Sequence, residues 1–276
     1  MPRSPNLRFG ERSGRLRFAL LRMTRKWVAI AYGMLSCHIQ DDKVYDPQPH
    51  KDEKYRHRNR RSTIEPLLQI YDALFSHYGD LHWWPGENPY EIMVGAILTQ
   101  NTAWTNVEKA IARLAEDLTP QRIAAMPVET LEERIRPAGF FRQKARYLKA
   151  MTAWYARYNY DAEAVRRVPL DALRPEILSV KGIGNETADS ILLYAFGLPS
   201  FVVDAYTMRH FARYPLKAGR TYAAVQAYCE ARLPESAEIY NHFHALIVIN
   251  GKEHCKKRPI CAGCPLEGGC EKRIEE

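Results

Sequence analysis

Beyond Thr63 the apolar residues recur three and four positions apart, and no stretch alternates with period two long enough to read as a strand. That periodicity predicts an all-α chain. A first helix is expected over 66–75, with Thr63 as N-cap and Pro66 in its opening turn. Trp83-Trp84-Pro85-Gly86 then interrupts the pattern as an aromatic loop. Residues 89–100 are apolar on nearly every side, which predicts a helix buried all round. Further helices follow at 106–114, 120–126, 128–134 and 141–158, separated by Pro, Gly or Thr. One helix ends near Val180, another starts near Asn185, and 191–196 continues it as an apolar run.

Charge changes this picture less than its total suggests. The 276 residues carry a formal net charge of +8, from 40 Lys and Arg against 32 Asp and Glu. Such a surplus is a common footprint of nucleic-acid binding. Residues 1–63, however, hold 15 basic and 6 acidic side chains, leaving 25 basic and 26 acidic in the remainder. The body is close to neutral, so a binding face there must come from local clusters. The first 62 residues read as a poorly structured basic extension: a DNA-binding arm, a targeting segment, or residues upstream of a start at Met23 or Met34. There is no run of 18 apolar residues, and the early apolar stretch 27–35 is too short to span a bilayer. At this length the chain can bury a sizeable core in one large or two small domains.

Cys255, Cys261, Cys264 and Cys270 fall within 16 residues as C-x5-C-x2-C-x5-C. Their segment is too short and too rich in Gly, Pro and Lys to build a core, so it needs a cross-link. A [4Fe–4S] cluster, a tetrahedral zinc or two disulfides would supply one. A zinc ribbon clamps its metal with two tight C-x2-C knuckles. One short gap between two longer ones suits a cubane, whose four irons each take one cysteine. Lys252, Lys256, Lys257 and Arg258 crowd the loop between the first two cysteines and its approach, either as phosphate contacts or as a solvated charge run. His242, His244 and His254 read as satisfied surface or interface side chains, because four thiolates already complete the site. Cys37 and Cys229 have no assigned role.

Residues 178–188 read L-S-V-K-G-I-G-N-E-T-A. Gly182 and Gly184 flank Ile183 and admit backbone angles closed to other residues. Successive N–H groups beside a helix start then form an anion site suited to one phosphate. A plain helix connection is the bland alternative. Asp204 directly follows Phe201-Val202-Val203, where it would cap the next helix, hold an ionised carboxylate at a pocket edge, or do both.

The G-I-G-x-x-T-A hairpin, an aspartate 20 residues beyond Gly184 and a terminal four-cysteine loop, in this order, resemble the endonuclease III branch of the helix–hairpin–helix DNA glycosylase superfamily. The likeness covers roughly residues 64–270. It implies two all-α domains with DNA in the cleft between them: a six-helix barrel at 82–197, and a second domain from 63–81 and 198–276 that carries the [4Fe–4S] loop. It implies Asp204 as the catalytic carboxylate, which steadies positive charge developing on the sugar as the N-glycosidic bond breaks. Bifunctional members carry a lysine two residues after the second hairpin glycine. This chain has Glu186 there, and a carboxylate cannot form an imine. The expectation is a monofunctional enzyme in which water attacks C1′, with little or no lyase activity. Lys181 stands on the wrong side of the turn to replace that lysine. Gln100, within Leu98-Thr99-Gln100-Asn101-Thr102, looks like the family glutamine that fills the gap left by a flipped base; a polar residue closing a core helix is the bland reading.

The Trp83-Trp84-Pro85 turn, with Trp104 four residues after the glutamine, is similar to the 3-methyladenine glycosylase branch. An alkylated purine is cationic, and electron-rich rings attract such a base through cation–π interaction. With Glu186 in the same pocket, the expected substrate is an alkylated purine such as 3-methyladenine. Oxidised pyrimidine or mismatched thymine is the enzymatic alternative, and a DNA-damage binding protein without catalysis is the other. Two departures stand against the family patterns. Members of the alkylation branch need not carry the cysteine cluster, and the first cysteine gap is one residue shorter than is usual for endonuclease III. The implied partner is double-stranded DNA containing a damaged base, met by a monomer without a membrane, in a nucleoid, nucleus or mitochondrion.

Overall fold

The computed structural model describes residues 65–272 apart from Pro85. The basic extension at 1–62, with Cys37, and the expected cap Thr63 lie outside the described residues. Thr63–Glu276 forms one compact unit. Its described residues fold into twelve α-helices, two 3-10 turns and one π turn, with no strand among them, as the periodicity predicts.

Helix α1 (Pro66–Tyr78) opens on Pro66, as expected, but its N-cap is Glu65, whose side chain makes no capping bond. A residue before proline is pushed out of the helical region, which sets the boundary there. Helix α2 (Pro89–Leu98) is buried along its whole length after Pro89. Asn88 starts it by accepting from the Glu91 amide at 3.0 Å. It ends two residues before the expected Gln100, where Thr99 Oγ1 folds back to donate to Gly95 O at 2.9 Å. Each fully buried Ile, Leu or Met side chain here contributes about 1.5–3 kcal/mol.

Helices α3 (Trp104–Leu114) and α6 (Phe141–Ala156) pack on α2, and the short α4 (Pro120–Ala125) and α5 (Val128–Arg134) cover α6. The short α7 (Ala162–Arg166), which the periodicity does not announce, leads to α8 (Leu170–Leu178). The glycine hairpin follows, then α9 (Asn185–Ser190), which runs into the π turn Ile191–Ala195 against α2. Three helices complete the chain: α10 (Ala205–Arg213), α11 (Tyr222–Glu230) and α12 (Ala237–Glu253). Helix α12 touches α1, α10 and the π turn, so it joins the two ends of the unit and carries side chains toward Asp204. Among the described residues no helix is long and apolar enough to cross a membrane.

Candidate active site

Phe201, Val202 and Val203 are buried, and the chain leaves the core at Asp204 in an extended conformation. Asp204 caps α10, as expected: its Oδ1 accepts from Thr207 N at 2.8 Å and from Thr207 Oγ1 at 3.0 Å. Its other oxygen, Oδ2, faces His244 Nε2 at 3.6 Å. Burial alone would push this carboxyl up. Hydrogen bonding from His244, then from the Thr207 amide and hydroxyl, outweighs burial and holds Asp204 below its ordinary value. The partial positive charge at the start of α10 acts in the same direction.

His244 is therefore not a surface histidine. It is 5% exposed, and its Nδ1 is hydrogen-bonded to the Tyr194 hydroxyl. Its position had a legible signal, since it shares the inward face of α12 with Tyr240 and Ile247 at helical spacing. The neighbouring histidines behave as expected. His242 lies half-buried 3.5 Å from Asp80, and His254 Nδ1 pairs with Ile260 O at 2.9 Å.

The three predicted tryptophans meet. Trp84 stands edge-to-face with Trp83 at 6.4 Å and with Trp104 at 5.4 Å, and leans on Tyr194 at 4.9 Å between ring centroids. Trp84 and Trp104 converge over Gly95 of α2, where a Cβ would lie 3.6 and 3.5 Å from their rings. Tyr194 connects this wall to His244 and so to Asp204. Glu186, at the start of α9, is solvent-exposed; desolvation by the protein around it still raises its carboxyl, the Asp204 charge adds to the rise and His244 opposes it. Its access to water keeps that effect moderate.

Lys252, on the approach to the cysteine loop, belongs to the last turn of α12, where its ammonium sits 5.5 Å from the centre of the Trp83 ring. Desolvation lowers it, and the Asp204 charge works the other way. The periodicity does not announce a helix ending at Glu253, so the contact of Lys252 with Trp83 is not legible in the chain.

Gly182 has φ +89°, and a Cβ there would stand 2.1 Å from the Tyr147 ring. Both the angle and the space demand glycine. Gly184 differs: its φ of −95° suits any residue, and nothing lies within 4 Å of an added Cβ. Its absent side chain leaves the approach to the start of α9 open instead of relieving strain. The Ile183 amide is not free, since it donates to Val180 O at 3.1 Å. The donors left for an anion are the opening amides of α9, which have no intrahelical carbonyl.

Gln100 is tied to this hairpin, with Nε2 donating to Gly182 O at 3.1 Å and to Thr187 Oγ1 at 3.0 Å. Its neighbour Asn101 is exposed, in the left-handed region at φ +52°. Buried Lys144, which the sequence did not single out, fixes the turn by donating to Leu98 O and Ala138 O, both at 2.8 Å, and to Thr102 Oγ1 at 2.6 Å. Burial pushes that ammonium down to about 8.

The cysteine loop lies at the other end of α10. Cys255, Cys261, Cys264 and Cys270 line one cavity of about 40 Å³ together with His210, Arg213 and Asn250. Arg213 Nη1 donates to Cys255 Sγ at 3.2 Å, Asn250 Nδ2 to Cys264 Sγ at 3.6 Å, and the Lys272 amide to Cys270 Sγ at 3.4 Å. None of the four is in a disulfide. Among the described residues no group of His, Cys, Asp or Glu forms a set that could hold a single metal ion. Arg213 also donates to the carbonyls of Lys256 and Lys257, at 2.6 and 3.0 Å, and Arg209 to that of Cys255 at 2.6 Å. Lys256, Lys257 and Arg258 are exposed on this braced loop. Cys229 is buried in the core, and desolvation pushes its thiol up.

A glycine hairpin next to a capped aspartate, on an all-helical frame, defines a helix–hairpin–helix protein of the DNA-handling kind. Residues 94–235 match the HhH-GPD superfamily of base excision DNA repair proteins, and the chain belongs to that superfamily. It is 44% identical over 216 residues to a Methanocaldococcus jannaschii protein provisionally named a DNA repair glycosylase, a span of 76% of this chain and 98% of the relative. It is 32% identical to endonuclease III of Treponema pallidum, over 73% of this chain and 91% of that one. Among solved structures, a trapped endonuclease III–DNA covalent intermediate superposes with TM-score 0.65 at 28% identity, covering 77% of this chain and 97% of its own. The Helicobacter pylori 3-methyladenine DNA glycosylase MagIII bound to 1,N6-ethenoadenine gives TM-score 0.59 at 28% identity, over 67% and 97%.

Proposed function

We propose that this protein is a monofunctional DNA glycosylase that hydrolyses the N-glycosidic bond of a flipped, damaged base, with an alkylated purine such as 3-methyladenine as substrate. The observation that carries this reading is the joining of Asp204 to the tryptophan wall through Tyr194 and His244. A carboxylate held below its ordinary value is ionised at neutral pH, able to orient water at C1′ and to offset charge on the sugar. The wall of Trp83, Trp84 and Trp104 offers stacking faces to a base that leaves as a neutral group. Glu186 faces Asp204 where an imine-forming amine would be needed, which supports hydrolysis over lyase chemistry.

DNA would lie in a cleft between a lobe at 82–197 and a lobe from 63–81 and 198–276; the packing of α1 on α12 supports the second grouping. The opening amides of α9, beyond Gly182, Ile183 and Gly184, would take one phosphate, and Lys256, Lys257 and Arg258 others. Gln100 would enter the duplex as the wedge only after releasing Gly182 O and Thr187, a cost that exposed Asn101 does not bear.

Cys255, Cys261, Cys264 and Cys270 would hold a [4Fe–4S] cluster. Three of their sulfurs accept hydrogen bonds from Arg213, Asn250 and the Lys272 amide, the outer contacts that orient cluster ligands. A lone tetrahedral zinc, with Zn–S near ~2.3 Å, needs its sulfurs gathered more closely than a cubane does. The cluster would supply a structural cross-link that stiffens the basic loop.

The Lys252 ammonium over Trp83 favours a second reading. A cation already on that ring discourages a cationic base and suits a neutral one, such as an oxidised pyrimidine or mismatched thymine. A damaged-base panel decides between them: release of 3-methyladenine from methylated duplex DNA supports the first reading, and cutting confined to thymine glycol overturns it. Borohydride trapping of a protein–DNA adduct would refute the monofunctional assignment.

A further inference from the structure

Three side chains from three separate elements converge beside the tryptophan wall: Tyr194 from the π turn, His244 from the middle of α12, and Asp204 from the cap of α10. Their chemistry sets an order. Burial, then the Asp204 charge, raises the Tyr194 phenol far above its ordinary value, so Tyr194 keeps its hydrogen, and the acceptor within reach of that hydrogen is His244 Nδ1. His244 Nδ1 must then accept, which leaves the ring hydrogen on Nε2. That buried atom has no hydrogen-bond partner within normal range among the described residues, and the nearest acceptor is Asp204 Oδ2 at 3.6 Å.

We propose that Tyr194 and His244 form a relay in which His244, its tautomer fixed by the Tyr194 hydroxyl, acts as a positioning residue that keeps Asp204 ionised and aimed at the pocket. This inference rests on the reading of Asp204 as the catalytic carboxylate. A carboxylate against aromatic rings loses hydration, and an N–H directed at its free oxygen restores part of it without admitting water. Trp84, leaning on Tyr194 at 4.9 Å, keeps the phenol from turning away. The other charged or titratable groups around the relay are Glu186 on α9, which feels both Asp204 and His244, Lys252 on α12, and His210 on α10. His210 is already satisfied by Asn250 Oδ1 at 2.7 Å and Tyr206 O at 2.9 Å. Glu186 and Lys252 bear on Asp204 with opposite sign, and neither replaces the N–H of His244.

The test has two arms. In the first, the full chain labelled with 15N-histidine is examined by NMR without DNA, and His244 is assigned by its loss in His244→Gln. The expected signature is the tautomer with hydrogen on Nε2 and a bare Nδ1; hydrogen on Nδ1 overturns the relay. In the second, base release from methylated duplex DNA is followed against pH. His244→Leu is expected to act about tenfold more slowly than the parent at about pH 5 and within about twofold at about pH 8, because its acid limb moves up. His244→Gln, which can accept from Tyr194 and donate to Asp204, should bring the limb back. If His244→Leu fails to fold, Tyr194→Phe decides, with a smaller shift of the limb in the same direction. An unmoved limb in a folded variant overturns the proposal. A parent protein that releases no base refutes the glycosylase reading and leaves the tautomer arm standing.

Discussion

Helix α10 separates two regions built for opposite charges. At its start Asp204 takes two hydrogen bonds from Thr207 and faces His244; at its end Arg209 and Arg213 grip the carbonyls and one sulfur of the cysteine loop. The nine-residue helix puts about 13 Å between them. Each end also follows the helix dipole, with an anion at the start and cations at the finish. They differ in how much rests on one atom. The first end concentrates its chemistry in a single carboxylate whose neighbours tune it. The second spreads its work over four thiols, two arginines and three exposed cations. The first end should therefore fail in turnover with the fold intact, whereas the second should fail in stability and DNA grip while the chemical step persists.

The sharpest way to break that contrast is Asp204→Asn. Asparagine caps a helix as well as aspartate does, so Thr207 keeps its acceptor and the melting temperature should hardly change. Without the charge, base release should fall about a thousandfold under single-turnover conditions, while DNA affinity stays within about twofold. Equal loss of binding would show that the two ends are not separate.

At the other end, Arg213→Met should lower stability by about 2–3 kcal/mol in denaturant unfolding, because the carbonyls of Lys256 and Lys257 lose buried donors. Any visible absorption from a cluster should weaken with it. At saturating DNA the rate of base release should remain close to that of the parent. A rate loss comparable to that of Asp204→Asn would place Arg213 in the chemistry and end the division of labour. Smaller again is the double change of Lys256→Ala and Lys257→Ala. It should weaken binding to all sequences alike and lessen the salt dependence by about one unit of slope per lysine. A change in base preference would contradict a phosphate role for these residues.

The two regions were not equally legible in the chain. The all-α class and most helices up to the hairpin follow from periodicity, and the buried α2 announces itself because nearly every residue in it is apolar. The four cysteines, Gly182 and the capping role of Asp204 were readable because each rests on local spacing or a local backbone need. The partners of Asp204 were not. Tyr194 and His244 are 50 residues apart, and only the packing of α12 on the π turn brings them together. Nor is the Trp83 ring beside Lys252 legible, because it comes from a turn some 170 residues earlier. Gly184 looked conformationally required, yet its backbone is ordinary, and its value lies in the open space beside it. Gln100 reads either as a wedge or as a polar residue closing a core helix, and its tether to a carbonyl 82 residues away is invisible in sequence.

The smallest effect sharpens the comparison because it should exist at one end only. The folded-state carboxyl of Asp204 lies below its unfolded value, so folding favours the ionised form. Its contribution to stability is complete above the unfolded value, about 3.9 for an aspartate, and is lost as pH falls through the lower folded value. Asp204→Asn keeps the cap but has no group to titrate. The stability difference between parent and variant should thus move in favour of the parent as pH rises through this acid window and then level off. Replacing His244 with leucine removes influences that hold Asp204 down while burial persists, so the step should shrink. Arg213→Met should leave it unchanged, since the bonds it breaks join a permanent cation to backbone carbonyls. A difference that stays flat with pH would mean that Asp204 is not held ionised by its surroundings. One that moves against the parent as pH rises would mean that burial has won over His244 and Thr207, and the first end of α10 would then need a different chemistry.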